Sequence, residues 1–190
     1  MKRTLGADYP ELKQFKNWLL THVKGAREIN IITASGTDIT LYPRNWLETD
    51  GEVFCTPFES RTKGKIFVDA CAYWAPPKIP FTLWIDGGRV VKTREIETED
   101  PQHQNVFQDL HRDINSNVVA EFGIGINPNA LWNEQLMESE QARGTCHFGF
   151  GHNKNYGGAI ESTYHFDLVI QKPTIVINGD VICNEGVFLS

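Results

Sequence analysis

The sequence has no long apolar run. Its most apolar stretches, such as Val118-Val119 and residues 166–170, fall far short of the roughly 20 residues that span a bilayer, so an integral membrane protein is not expected. A basic face is also missing. The chain has 18 Lys and Arg against 24 Asp and Glu, a formal net charge of −6. The acidic residues Glu95, Glu97, Glu99 and Asp100 are as clustered as any basic group, and neither an Arg/Lys-rich helix nor an RNA-binding aromatic motif is present. These absences exclude the usual footprint of a nucleic-acid binder. Residues 1–8 carry the basic pair Lys2-Arg3 but no hydrophobic segment of a secretory signal, and a cytoplasmic location is the expectation. The four cysteines, Cys55, Cys71, Cys146 and Cys183, form no C-x-x-C pair. They read as small buried apolar residues of a reducing compartment rather than as a zinc ribbon or disulfide framework.

What is present is the balance of a globular domain. Over 190 residues, 41% are hydrophobic and 22% charged, enough to bury a core without staples and too apolar for a wholly disordered chain. With no repeat and no dividing linker, residues 1–190 read as one domain. Leu12, Phe15, Trp18, Leu19 and Val23 recur at three- and four-residue spacing and predict a helix over 9–24, capped by Asp8 and ended by Gly25. A second helix is predicted over 101–115, entered through Asp100-Pro101, and a short third over 130–137. Three hairpins pair residues 29–33 with 39–42, 81–85 with 89–93, and 174–177 with 181–183. Further strands are expected at 52–55, 65–70, 118–124, 145–150 and 164–170. The fold class is α+β, a mixed, largely antiparallel sheet with two or three helices. Loop 153–158, with two asparagines and two glycines, reads as mobile.

The residues that could carry chemistry concentrate in the last third. His165-Phe166-Asp167 lies in a strand pattern, so His165 and Asp167 project to one face and Phe166 to the other. His147 lies in a second strand, Gly144-Thr145-Cys146-His147-Phe148-Gly149-Phe150-Gly151, whose glycines admit close approach. Two histidines and a carboxylate from adjacent strands form the facial set of non-haem iron, and further carboxylates would suit a two-metal hydrolytic site. Glu121 stands amid an apolar strand, where an unpaired carboxylate costs several kcal/mol or takes up a proton; outward alternation on a one-sided sheet would also explain it. Glu52 opens a strand that reaches the same sheet. Tyr156 and His152 occupy the glycine-rich loop, where a phenol or imidazole can donate a proton. His22, His103 and His111 fall on helices and read as surface residues.

The blocks Glu52-Val53-Phe54-Cys55-Thr56-Pro57, Ala120-Glu121-Phe122-Gly123-Ile124-Gly125-Ile126-Asn127-Pro128, Gly144 to Gly151, Tyr156-Gly157-Gly158 and His165-Phe166-Asp167 occur in one order. Together they resemble the C-terminal half of the aminopeptidase T family, whose superfamily also includes ring-cleaving dihydroxypyridine dioxygenases. The resemblance implies a helix-and-hairpin lead-in over 1–50 and a metal-site domain over 51–190. It implies Glu52, Glu121, His147, His165 and Asp167 as metal ligands, Glu121 as ligand or general base, and Tyr156 as the loop tyrosine near the metal. In the dioxygenase branch His165 and Asp167 would supply two of three Fe(II) ligands. The chain departs from that pattern in three ways. The family's upstream domain has no counterpart here, Ser139-Glu140-Gln141 stands where the peptidases show Asp-Glu-Lys, and the segment between His147 and His165 is short.

Three functions follow as expectations. The first is hydrolysis of a peptide or peptide-like substrate by water activated on Zn or a similar divalent metal. The second is oxygenation of an aromatic or peptide substrate on one Fe(II) held by His147, His165 and Asp167. The third is peptide binding without turnover, as in maturation of a ribosomally made peptide natural product, with strand addition at an open edge. Exposed edges also point to a homodimer or to pairing with a companion protein.

Overall fold

Alternating apolar residues build two antiparallel sheets that share one core. The computed structural model describes residues 9–72, 76–94, 100–133 and 135–190, apart from the side chains of Cys71, Arg94 and Gln102. The chain opens with α1 (Tyr9–Val23), β1 (Ile29–Ile32), β2 (Asp38–Leu41), β3 (Pro43–Glu48) and β4 (Glu52–Pro57). It continues through β5 (Lys63–Val68), β6 (Cys71–Ala72), β7 (Phe81–Asp86), β8 (Arg89–Arg94), α2 (Pro101–Asp109) and β9 (Val119–Gly125). The last third holds α3 (Leu136–Gln141), β10 (Thr145–Gly151), β11 (His165–Gln171), β12 (Thr174–Ile177), β13 (Asp180–Asn184) and β14 (Val187–Phe188). An 8-stranded sheet runs β14-β13-β12-β1-β2-β5-β7-β8, and a 6-stranded sheet runs β3-β4-β9-β10-β11-β6.

The core lies between the sheets. Ile29, Ile31, Ile39 and Leu41 from one sheet join Phe122, Ile124, Phe148, Phe150, Phe166 and Leu168 from the other in one buried cluster. Helix α1 adds Leu12, Phe15, Leu19, Leu20 and Val23 to it, as its periodicity predicts, and α2 adds Val106, followed by Leu110 just past its end. The three expected hairpins form. In the last, Asn178 and Gly179 have φ 53° and 98°, the left-handed pair that a tight hairpin needs. Asn178 also accepts the amides of Arg27 and Glu28 through Oδ1, at 2.8 and 3.2 Å, and so ties the turn to the end of α1.

The α+β class and the largely antiparallel pairing are as expected, and several finer expectations are corrected. Every pairing between the named strands is antiparallel; the parallel contact is an isolated bridge, Asn127 to Ala142. Strand β3 is new, an edge strand bulged between Arg44 and Leu47. Helix α2 ends at Asp109 rather than 115. Beyond it Asp113 accepts the amides of Asn115 and Thr163, each at 2.8 Å, and thereby favours a turn over a further helical turn. Helix α3 starts at Leu136 instead of 130, because residues 127–133 spend side-chain oxygens on local amides: Asn127 Oδ1 takes Asn129 N at 3.0 Å, and Asn133 Oδ1 takes Gln135 N at 2.7 Å. Strand β5 is displaced two residues from 65–70. His103 is fully buried, edge-on to Phe81 with Nε2 at 2.7 Å from the Ile79 carbonyl, so it is a core histidine and not a surface one. The cap Asp8, the acidic residues Glu95, Glu97 and Glu99, and the side chain of Cys71 lie outside the described residues; Cys55, Cys146 and Cys183 are buried and free.

Loop 153–158 is pinned rather than loose. Asn153 is buried; Nδ2 donates to Glu59 Oε1 at 2.8 Å and to the Ala120 carbonyl at 3.1 Å, and Oδ1 accepts the Ile160 amide at 2.8 Å. Asn153→Ala is expected to lower the urea midpoint by the equivalent of about 1–3 kcal/mol, since it leaves buried partners unpaired. A midpoint unchanged from the starting protein would mean that water replaces those bonds.

Candidate metal centre

The face of the smaller sheet that turns away from the core alternates ligand-bearing residues with glycines. Cross-strand partners share a face, and β9 places Glu121 opposite Gly149 of β10, which in turn stands opposite Asp167 of β11. In the next row Phe54 of β4 faces Gly123, and Gly123 faces His147. Glu52 stands opposite Gly125, and His165 opposite Gly151. Each large side chain therefore has an empty neighbour to lean over. A Cβ on Gly123 would fall 2.1 Å from the His147 ring, and one on Gly149 would fall 2.7 Å from both Asp167 Oδ1 and His165 Nε2.

All five residues implied as ligands converge. His147 Nε2 lies 3.3 Å from Glu52 Oε2 and 3.5 Å from Glu121 Oε1. His165 Nε2 lies 3.2 Å from Asp167 Oδ1 and 3.5 Å from Glu121 Oε2. Among the described residues two three-residue groups result, Glu52–Glu121–His147 and Glu121–His165–Asp167, with donor atoms within 4.8 Å of one another in each. Glu121 belongs to both, and the two histidines fall in different groups. The other nitrogen of His165 lies 2.7 Å from the His152 carbonyl, which orients the ring. His147 Nδ1 is buried with no partner among the described residues, so its ring is held from the Nε2 side. Tyr156, in the short turn Lys154–Tyr156, stands edge-on to Phe54 at 5.6 Å and to His165 at 5.8 Å between ring centres.

Sequence reasoning missed Glu140 as a member of this cluster. Its only sequence signal is the departure in charge at Ser139-Glu140-Gln141, a few residues upstream of the G-T-x-H block. Helix α3 packs on this face so tightly that a Cβ on Gly125 would meet the Glu140 and Ala142 carbonyls at 2.7 and 2.2 Å. Burial pushes the Glu140 carboxyl up to about 8; His147 opposes that rise, and the charges of Asp167, Glu52 and Glu121 add to it. Burial likewise raises Glu52. Burial alone would lower His147, but the hydrogen bond to Glu121 and the charges of Glu52, Glu140 and Asp167 outweigh it and bring the imidazole to about 10. His165 rises to about 9 against its own burial, through the hydrogen bond and charge of Asp167 and the charge of Glu121. Asp167 is lowered despite burial by its hydrogen bond to His165 and the charges of both imidazoles. Burial and the carboxylates raise the Tyr156 phenol.

The donor set fits a divalent cation. Imidazole nitrogens and carboxylate oxygens are the ligands that zinc and iron take, and four buried or half-buried acids face only two imidazoles. Without a cation such crowding is costly, and protons fill the deficit, as the raised Glu140 shows.

Residues 10–190 match the family of 2,5-dihydroxypyridine 5,6-dioxygenase, NicX. The chain belongs to that family. A search of curated protein sequences found no match. Among solved structures, this NicX-family chain is similar to 2,5-dihydroxypyridine dioxygenase from Pseudomonas putida KT2440, with a TM-score of 0.84 and 16% identity over 100% of this chain and 62% of that one. It is also similar to wild-type AmpT from Thermus thermophilus, with a TM-score of 0.73 and 13% identity over 99% of this chain and 57% of that one. The chain thus spans less than two thirds of either relative. At these identities the likeness shows the fold, and the fold is the one that the ordered sequence blocks imply.

Gly149→Ala tests the space left for the donors of this NicX-family protein. The added methyl should cost about 1–3 kcal/mol of stability and shrink the rise in melting temperature on adding Zn²⁺. An undiminished rise would show that Gly149 does not hold that space open.

Proposed function

We propose that this protein is a divalent-cation-dependent hydrolase acting on a peptide or peptide-like amide, working in the cytoplasm as a homodimer or with a companion protein. Among the described residues, no helix is long and apolar enough to cross a membrane. The observation that carries the reading is the position of Glu121, whose two oxygens face different histidines and divide the cluster into two groups. Glu52 and His147 would hold one cation, His165 and Asp167 a second, and Glu121 would share both. When bound, the cations supply acidification of a water and polarisation of the scissile carbonyl. Were one Glu121 oxygen released from its cation, it would accept the proton of the attacking water and return it to the leaving amine nitrogen. Tyr156, a phenol protonated at neutral pH that burial and nearby carboxylates push further up, would donate a hydrogen bond to the carbonyl oxygen as charge develops there. Phe54 backs the tyrosine ring and keeps water from one side of it.

The second reading is a single-Fe(II) oxygenase, whose iron would take His165 and Asp167 with Glu121 in place of the expected His147, since the two histidines fall in different groups, and the family match favours it. Metal analysis of protein purified without added metal separates the two. Two zinc-like ions per chain and zinc-stimulated cleavage of leucine p-nitroanilide support hydrolysis. One iron per chain and oxygen uptake with 2,5-dihydroxypyridine support the oxygenase. Retention of no cation, with neither activity, would sink both and leave peptide binding.

A further inference from the structure

The turn that carries Tyr156 is gripped by residues outside the cluster. Arg44 in β3 pairs with Glu59, which opens the short turn Glu59–Arg61. The same carboxylate oxygen, Glu59 Oε1, accepts from Asn153 Nδ2 at 2.8 Å and from the Ala159 amide at 3.2 Å. One acidic side chain, only 12% exposed, thereby holds both ends of residues 153–159. Within the turn, the Asn153 carbonyl accepts the amides of Tyr156 and Gly158, each at 3.0 Å. From the bulge of β3, Asn45 donates through Nδ2 to the Gly157 carbonyl at 2.7 Å.

None of these residues belongs to the two ligand groups, and Tyr156 is the residue of the turn that meets Phe54 and His165. A solvated surface ion pair would contribute little. Here the guanidinium also lies 5.0 Å over the Phe58 ring and the carboxylate is largely buried, so the cost of desolvating Glu59 is offset only while the turn stays docked and supplies its donors. We infer that the Arg44–Glu59 pair is a clamp that sets the pose of Tyr156, which makes Glu59 a positioning residue for the proposed reaction. The inference rests on Tyr156 acting at the cluster.

Protein labelled with 3-fluorotyrosine carries five tyrosines, and Tyr156→Phe identifies the ¹⁹F resonance of Tyr156. In Glu59→Ala that resonance shifts and broadens while the other four stay in place. The amides of residues 154–158 exchange at least about tenfold faster, and bound zinc is unchanged. Glu59→Gln, whose amide oxygen still accepts from Asn153 and Ala159, returns both readouts toward those of the starting protein. A Tyr156 resonance unmoved by Glu59→Ala overturns the clamp, as does a common shift of all five, which would report general loosening. Should Glu59→Ala fail to fold, Arg44→Ala removes the guanidinium half of the pair and leaves Glu59 its bonds to Asn153 and Ala159, and an unmoved Tyr156 resonance there overturns the pair as the clamp. If Tyr156→Phe leaves hydrolysis of leucine p-nitroanilide unchanged, the functional reading falls and the positioning role falls with it; the resonance still judges the clamp by itself.

Discussion

Glu121→Gln is expected to strip both cation positions at once, whereas Asp167→Asn should empty only one. The difference follows from membership: Glu121 belongs to both three-residue groups and Asp167 to one. An amide presents one weaker acceptor oxygen where the carboxylate presents two charged ones, so each position loses a charged donor. The fall in affinity should be at least as large as the roughly 10–100-fold seen when an outer partner of a metal ligand is removed. The cation-free fold should survive, because Glu52, Glu121, Glu140 and Asp167 crowd two imidazoles and the loss of one negative charge relieves repulsion. Mass-spectrometric metal analysis after dialysis, with melting curves on the same samples, reads both halves of this expectation. Equal losses in the two variants would refute the sharing of Glu121.

The cation-free protein should become less stable as pH rises, while cation binding strengthens over the same interval. His147 and His165 are raised from 6.5 to about 10 and about 9, and Glu140 is raised from 4.5 to about 8. A group that holds its proton more tightly when folded contributes stability that is complete below the unfolded value and disappears as pH climbs through the folded one. The three contributions therefore fade between about pH 5 and pH 10. Asp167 works in the opposite sense: its carboxyl is lowered from 3.8, so its contribution is present above that value and lost on acidification. Stability without a cation should peak on the mildly acidic side. A cation held by these groups needs neutral imidazoles and ionised carboxylates, so it must displace the protons of His147 and His165. Apparent affinity should then rise by up to about tenfold per pH unit for each proton displaced. Titration calorimetry with Zn²⁺ at pH 7 in two buffers of different ionisation enthalpy counts these protons. Binding without proton release would contradict the charge state described here.

Local patterns made part of this site legible. Period-two alternation put His165 and Asp167 on one face and Phe166 in the core, and the glycines flanking His147 marked a surface of close approach; both hold in the structure. Glu121 in an apolar strand signalled a carboxylate with an unusual partner, and it has two histidines. Other features left little local trace. His103 carries the spacing of a helix face, but spacing does not say what covers that face, and Phe81 covers it from β7. Glu140 sits in a short polar helix whose importance comes from docking on Gly125. Asn153 is an ordinary loop residue by composition, and it is fixed by Glu59, 94 positions away.

The sequence by itself determined which residues share a strand and which alternate to its two faces, because those relations follow from the geometry of one short backbone segment. It also determined the α+β class and, through ordered blocks, the family's fold. Only the tertiary structure decided which carboxylate stands beside which imidazole. That depends on the register between strands distant along the chain, where a slip of one residue would turn every side chain of a strand to the opposite face. Glu52 and Glu121 meet His147, and Glu121 and Asp167 meet His165, because hydrogen-bonded register and core packing hold β4, β9, β10 and β11 in that alignment.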